Sequence, residues 1–167
     1  GVGTANTRIA LDAGSFGISS LPLTIAEEGT HTVRYYSTDS VGNAESTRTA
    51  TVLVDLTPPL STMQLLGQGA STAIFPNVSL NMYVYFSADD PVSAGAASGV
   101  NTINYTIDTD PNLCAAEPPD PNQPPGTCGN QIYTNSFPLS IGTHTVYFSA
   151  KDNAGNLESI RSAFFNV

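Results

Sequence analysis

Two short segments hold the side chains best equipped for chemistry: Asp39-Ser-Val-Gly42-Asn43 and Asp152-Asn-Ala-Gly155-Asn156. Carboxylate, amide and main-chain oxygens are hard ligands of the kind calcium accepts. One aspartate per segment is far short of the six to eight oxygens that ion takes, so a site would need Asp55, Asp89 and Asp90 to converge on it. The same residues also suit a hairpin turn. An aspartate accepts hydrogen bonds from amides just ahead of it, while Gly and Asn tolerate positive φ. Each segment lies between two alternating runs, so the expectation is a turn at Asp39, Gly42 and Asn43 and another at Asp152, Gly155 and Asn156. No cofactor is expected, with calcium as the alternative.

Other reactive side chains point the same way. His31 and His144 both follow a Gly-Thr pair and read as hydrogen-bonded residues at a strand start. The cysteines, Cys114 and Cys128, stand in a proline-rich stretch. In an exported protein they read as a disulfide closing one loop, worth about 3 kcal/mol by loop entropy. No Cys-His pair with an orienting third group and no G-x-S-x-G elbow occurs, so an enzyme is not expected. Tyr36, Tyr83, Tyr85 and Tyr147 fall on outward strand phases and suggest a weak sugar-stacking platform or a solvated face. Asn77-Val-Ser and Asn104-Tyr-Thr match the N-glycosylation tripeptide. Net charge is −9, with one lysine and four arginines. Phosphate binding needs clustered Lys and Arg, so nucleic acid is excluded as a partner. No apolar run approaches the roughly 18 residues of a membrane span, and no membrane insertion is expected.

The elements that carry these residues are written twice. Gly29–Val54 and Gly142–Val167 align without a gap and share 13 of 26 positions. Further back, Ser20–Ile25 matches Ser136–Ile141, and Asn6–Asp12 resembles Asn101–Asp108. Such self-similarity marks one structural unit repeated. Alternation of period two runs through 79–88, 145–150 and 163–167, with Leu80, Met82, Val84 and Phe86 on one face of the first; no 3.6-residue period is sustained. Only 11% of residues are charged, against about 25% in an average domain, which places hydroxyl side chains on the solvent faces. The reading is all-β: antiparallel sandwiches in tandem. Pro58 and Pro59 end the first copy. Residues 1–56 form an incomplete domain lacking its first two strands. Residues 57–167 form a complete one, with an insertion at about 109–130 holding both cysteines.

Thr57-Pro-Pro at a domain start, Ser98-Gly-Val before Tyr105-Thr-Ile-Asp108, then Gly-Thr-His-Thr-Val, Asp-x-x-Gly-Asn and Glu resemble the bacterial Ig-like repeats of secreted and surface proteins. The subfamily nearest in pattern is the OmpL-type repeat, named after a leptospiral outer-membrane adhesin. The resemblance implies Ig-like domains used as a stalk or adhesive module, extracellular or at the cell surface, without catalytic residues. Its implied partners are other copies of itself or neighbouring repeats, and a host or matrix protein or a polysaccharide. One alternative is a filament subunit whose first domain is completed by strands from a neighbouring chain. Another is an accessory carbohydrate-binding module of a secreted hydrolase.

Overall fold

The computed structural model describes residues 3–19, 22–66, 83–111 and 130–167. The named elements among them are all β-strands, paired antiparallel throughout. The chain divides into two compact units: Gly1–Leu56 with Val92–Ala97, and Thr57–Pro91 with Ser98–Val167.

In the first unit, β1 (Thr4–Leu11), β2 (Gly17–Ile18), β3 (Gly29–Asp39) and β4 (Arg48–Val54) form a single sheet in the order β2-β1-β3-β4. β-Branched and aromatic residues recur along these segments, the composition that fits a pleated, half-buried surface. Register places Ile9 opposite Tyr35, Leu11 opposite Val33 and Val52 opposite His31, so these side chains share one face. The six residues Val92–Ala97 also belong here. They turn tightly through paired amides of Ser93 and Ala96, and Thr30 donates to the Gly95 carbonyl at 3.2 Å.

The second unit is a two-sheet sandwich. Its strands are β5 (Leu60–Leu66), β6 (Tyr83–Asp89), β7 (Val100–Ile107), β8 (Gln131–Ile132), β9 (Phe137–Pro138), β10 (Thr143–Asp152) and β11 (Arg161–Asn166). One sheet runs β5-β6-β9 and the other β11-β10-β7-β8. First, second and fifth strands thus face third, fourth, sixth and seventh, an Ig-like arrangement. Val84 and Phe86 of β6 meet Val146 and Phe148 of β10 and Phe165 of β11 in the core. Phe86 is central, its ring 4.9 Å from that of Phe148 and 5.2 Å from that of Tyr133. Fully burying each such side chain stabilises by about 1.5–3 kcal/mol.

The expectation of solvated hydroxyl faces fails on β7 and β10. Asn104, Thr106 and Ser149 occupy the outward phase and are all buried. After Asp108 the chain turns back, with the Thr106 hydroxyl donating to the Thr109 carbonyl at 2.6 Å and Pro111 buried. Alternation reports the phase of a side chain and is blind to a segment folded over it. The glycosylation reading of Asn104 is corrected by the same fact: at 4% exposure inside a paired strand, the amide is out of a glycan's reach. Asn77, Leu80, Met82, Cys114 and Cys128 lie outside the described residues.

Candidate functional site

Three side-chain devices recur at the same place in both copies. The first is the hairpin between β3 and β4 and its counterpart between β10 and β11. Asp39 Oδ1 accepts the amides of Val41 and Asn43 at 3.0 and 2.8 Å, and its Oδ2 accepts the Asn43 side chain at 2.8 Å. Asp152 does likewise with the amides of Gly155 and Asn156, at 2.7 and 2.8 Å, and with the Asn156 side chain at 2.7 Å. Gly42 and Gly155 have φ of 94° and 101°, where a β-carbon would be strained. Hydrogen bonds to the charged form hold the Asp39 carboxyl below its ordinary value, with the Asn43 side chain first among them.

The second device clasps each histidine, and its acidic partner was missed in the sequence. Asp12 and Asp108, at the ends of β1 and β7, have φ of 49° and 59°. Asp12 Oδ1 accepts the Thr32 amide at 2.7 Å, and its Oδ2 lies 3.0 Å from His31 Nδ1. Asp108 takes the Thr145 amide at 2.8 Å and lies 2.7 Å from His144 Nδ1. His31 Nε2 reaches the Glu27 carbonyl at 2.9 Å. With an acceptor at each ring nitrogen, the His31 pKa is raised, chiefly by the Asp12 bond, and that of Asp12 is lowered by the same bond. For Asp108, burial pushes upward, but the bonds from His144 and Thr145 outweigh it and the net direction is down. The sequence signal was the aspartate ending each matched segment before the Gly-Thr-His.

Ser140 Oγ lies 3.1 Å from His144 Nε2, so Ser140, His144 and Asp108 form the contact order of a hydrolytic triad. A base nitrogen must be free to take the hydroxyl proton. Here Nε2 also faces the Ser140 carbonyl at 3.2 Å, a second acceptor that competes with the hydroxyl for it. The first copy makes the same main-chain contact with Glu27, which has no hydroxyl. The shared component is the strand-end clasp.

The third device is a glutamate after each hairpin. Glu158 is buried and joins the two sheets of the second unit. It accepts the Ala150 amide of β10 at 3.2 Å and the Ser61 amide of β5 at 3.1 Å, and also takes the Ser61 hydroxyl. Arg161 Nη1, 3.5 Å from Glu158, donates to the Ser61 carbonyl. Ser61 is thus held by amide, hydroxyl and carbonyl at once. Glu45 is the equivalent in the first unit. It accepts the Ser37 amide at 2.8 Å and faces Arg48 at 3.4 Å. The signal for this device was Glu-Ser-x-Arg at 45–48 and 158–161.

The remaining candidates are divided between the two units. In the second unit a carboxylate oxygen of Asp90 lies within 4.8 Å of one of Asp152. Asp90 Oδ2 accepts the Gly99 amide at 2.6 Å, while its Oδ1 is buried without a hydrogen-bond partner. This pair offers four oxygens, three already engaged. Asp89 is exposed at the end of β6, and Asp55 is buried in the first unit. Among the tyrosines, Tyr83 and Tyr85 are exposed on β6, whereas Tyr147 is half-buried on β10 of the facing sheet. Tyr36, in the first unit, packs edge-on against Phe16 at 5.0 Å.

No family model matches the sequence, and no curated protein matches it. Among solved structures, the chain is similar to the fibronectin(III)-like modules of CbhA from Clostridium thermocellum. The identity is 13%, over 99% of this chain and 79% of that one, with a TM-score of 0.43. No helix among the described residues is long and apolar enough to cross a membrane.

Proposed function

We propose that the chain is a structural and adhesive module of a surface or secreted protein, built from tandem Ig-like repeats and working as a stalk or adhesion unit. One observation carries the reading: the recurring Asp, His and Glu side chains are committed to main-chain groups of their own module. Side chains used in this way stabilise a fold. The OmpL-type subfamily and an extracellular location rest on the motifs. Its partners are neighbouring repeats or copies, and beyond them a host or matrix protein or a polysaccharide.

A second reading is a filament subunit completed by a neighbour's strand, supported by the single sheet that the described residues of the first unit form. Negative-stain electron microscopy of native material separates the two. Small separate particles are expected for a module of a longer chain, and regular filaments would move the function to polymerisation. The sugar-binding alternative is weakened because Tyr83 and Tyr85 stand on the sheet opposite that of Tyr147.

This reading includes no enzyme and no cofactor. A serine-directed fluorophosphonate should leave Ser140 unlabelled, and labelling abolished by His144→Ala would make the triad contact order a working one. Melting curves with and without a calcium chelator should coincide. A midpoint lowered by chelation would place a cation beside Asp90 and Asp152.

A further inference from the structure

The two copies differ at one patch where the shared fold does not require it. Arg8 and Tyr36 stand opposite each other on β1 and β3, where the second unit pairs Asn104 with Ser149. Arg34, two places before Tyr36 on the same face, corresponds to Tyr147. The second unit folds with no guanidinium at either place. This is the outer face of the sheet. Val33 and Tyr35 point the other way, and their counterparts Val146 and Phe148 are the ones that line a core.

The patch is built around Arg34. Its Nη2 donates to the Gly14 carbonyl at 2.8 Å, and its guanidinium carbon lies 5.2 Å over the Phe16 ring. Phe16 in turn meets the Tyr36 ring edge-on at 5.0 Å. Arg8, Arg34, Phe16 and Tyr36 are all partly exposed, and the Arg8 guanidinium carries no hydrogen bond among the described residues. Diagonal neighbours of this kind start about 7–8 Å apart, so the two guanidiniums flank one small area. Thr49 and Thr51 of β4, in register with Arg34 and Thr32, add exposed hydroxyls. None of the residues in register on this face is acidic, in a chain of net charge −9 that has only four arginines.

We propose that Arg8, Arg34, Phe16 and Tyr36 form a subsite for a carboxylate-bearing polysaccharide, one built from uronic acid residues. A guanidinium presents a fork of N–H donors that matches a carboxylate. The rings give the apolar C–H face of a sugar a surface to rest on. At physiological ionic strength charges more than about 8 Å away are largely screened, so the acidic residues elsewhere on the chain do not cancel the two guanidiniums. A peptide is served less well. β1 and β3 are the inner strands of their sheet, and peptide strands take their affinity from the main chain of a free edge. This inference rests on the reading of the chain as an adhesive module and names the class of polysaccharide it holds.

The test titrates the ¹⁵N-labelled full chain with trigalacturonate in the presence of EDTA. Saturable shifts at the Arg8, Arg34 and Tyr36 amides are expected. The methyl ester of the same trisaccharide should bind about ten-fold more weakly, because hydrogen bonds to a charged group are lost. Arg8→Ala in the chain should weaken binding of the free acid about five-fold. The ester leaves the protein untouched, so the result does not depend on how the variant folds. Absent shifts, equal binding of acid and ester, or shifts confined to Tyr83 and Tyr85 would each overturn the subsite. Tighter binding of a hexaglutamate peptide would overturn it as well and make the occupant an acidic peptide. Separate particles in native material without sugar binding would keep the stalk and remove the subsite. Filaments with sugar binding would keep the subsite and remove the stalk.

Discussion

At the end of β1 an aspartate in the left-handed region grips a histidine nineteen residues further on and the amide that follows it, and an aspartate at the end of β7 grips His144 and the next amide in the same way. Gly29 and Gly142 precede each histidine by two residues. Their φ values of 141° and 136° belong to a region nearly reserved for glycine. The clasp makes stability depend on pH in a predictable sense. The folded pKa of Asp12 is depressed, so its contribution is present above the ordinary value of 3.8 and is lost as pH falls through the folded value. That of His31 is raised, so its contribution is complete below 6.5 and is lost as pH rises through the folded value. The clasp therefore stabilises most between those two limits. Melting midpoints should fall from pH 6 to pH 9 in the parent chain, and His31→Gln should flatten that decline. Asp12→Asn should flatten the acidic limb as well, leaving the part due to Asp108.

Among the elements, β5 depends most on a single side chain. Its pairing partner among the described residues is β6, and its hydrogen-bonded tie to the facing sheet passes through Ser61 and Glu158. Replacing Glu158 by alanine strips the acceptor from the Ser61 amide, the Ser61 hydroxyl and the Ala150 amide, all buried. Leaving a buried donor unsatisfied costs about 1–3 kcal/mol, so a combined loss of about 3 kcal/mol is expected. Thermal or urea unfolding of Glu158→Ala would show it. Glu45→Ala removes one such bond, to the half-buried Ser37, and should cost about 1 kcal/mol or less.

For the molecule as a whole, the two units should differ in stability despite their shared sequence. The second closes a core of Val84, Phe86, Val146, Phe148 and Phe165 between two sheets, whereas the described residues of the first form a single sheet. Apolar burial is the dominant favourable term, and a lone sheet can bury less of it. Native-state hydrogen exchange should therefore protect the amides of β10 more strongly than those of β3, although the two strands occupy equivalent positions. Equal protection would mean that the first unit draws its stability from something besides its own sheet.

The sequence by itself determined what depends on near neighbours. Period-two alternation placed Val84, Phe86, Val146 and Phe148 on inward phases, and Asp-x-x-Gly-Asn marked both hairpins, because turn chemistry acts within a few residues. The 113-residue repeat likewise announced a unit written twice. Tertiary structure alone decided the rest. Glu158 finds Ser61 across 97 residues of chain, a distance no local period encodes, and it does so only because one sheet stacks on another. Asn104, Thr106 and Ser149 carry an outward phase and are buried all the same. The Thr106 hydroxyl turns to the Thr109 carbonyl beyond the end of its strand, a contact of which alternation along the strand holds no record.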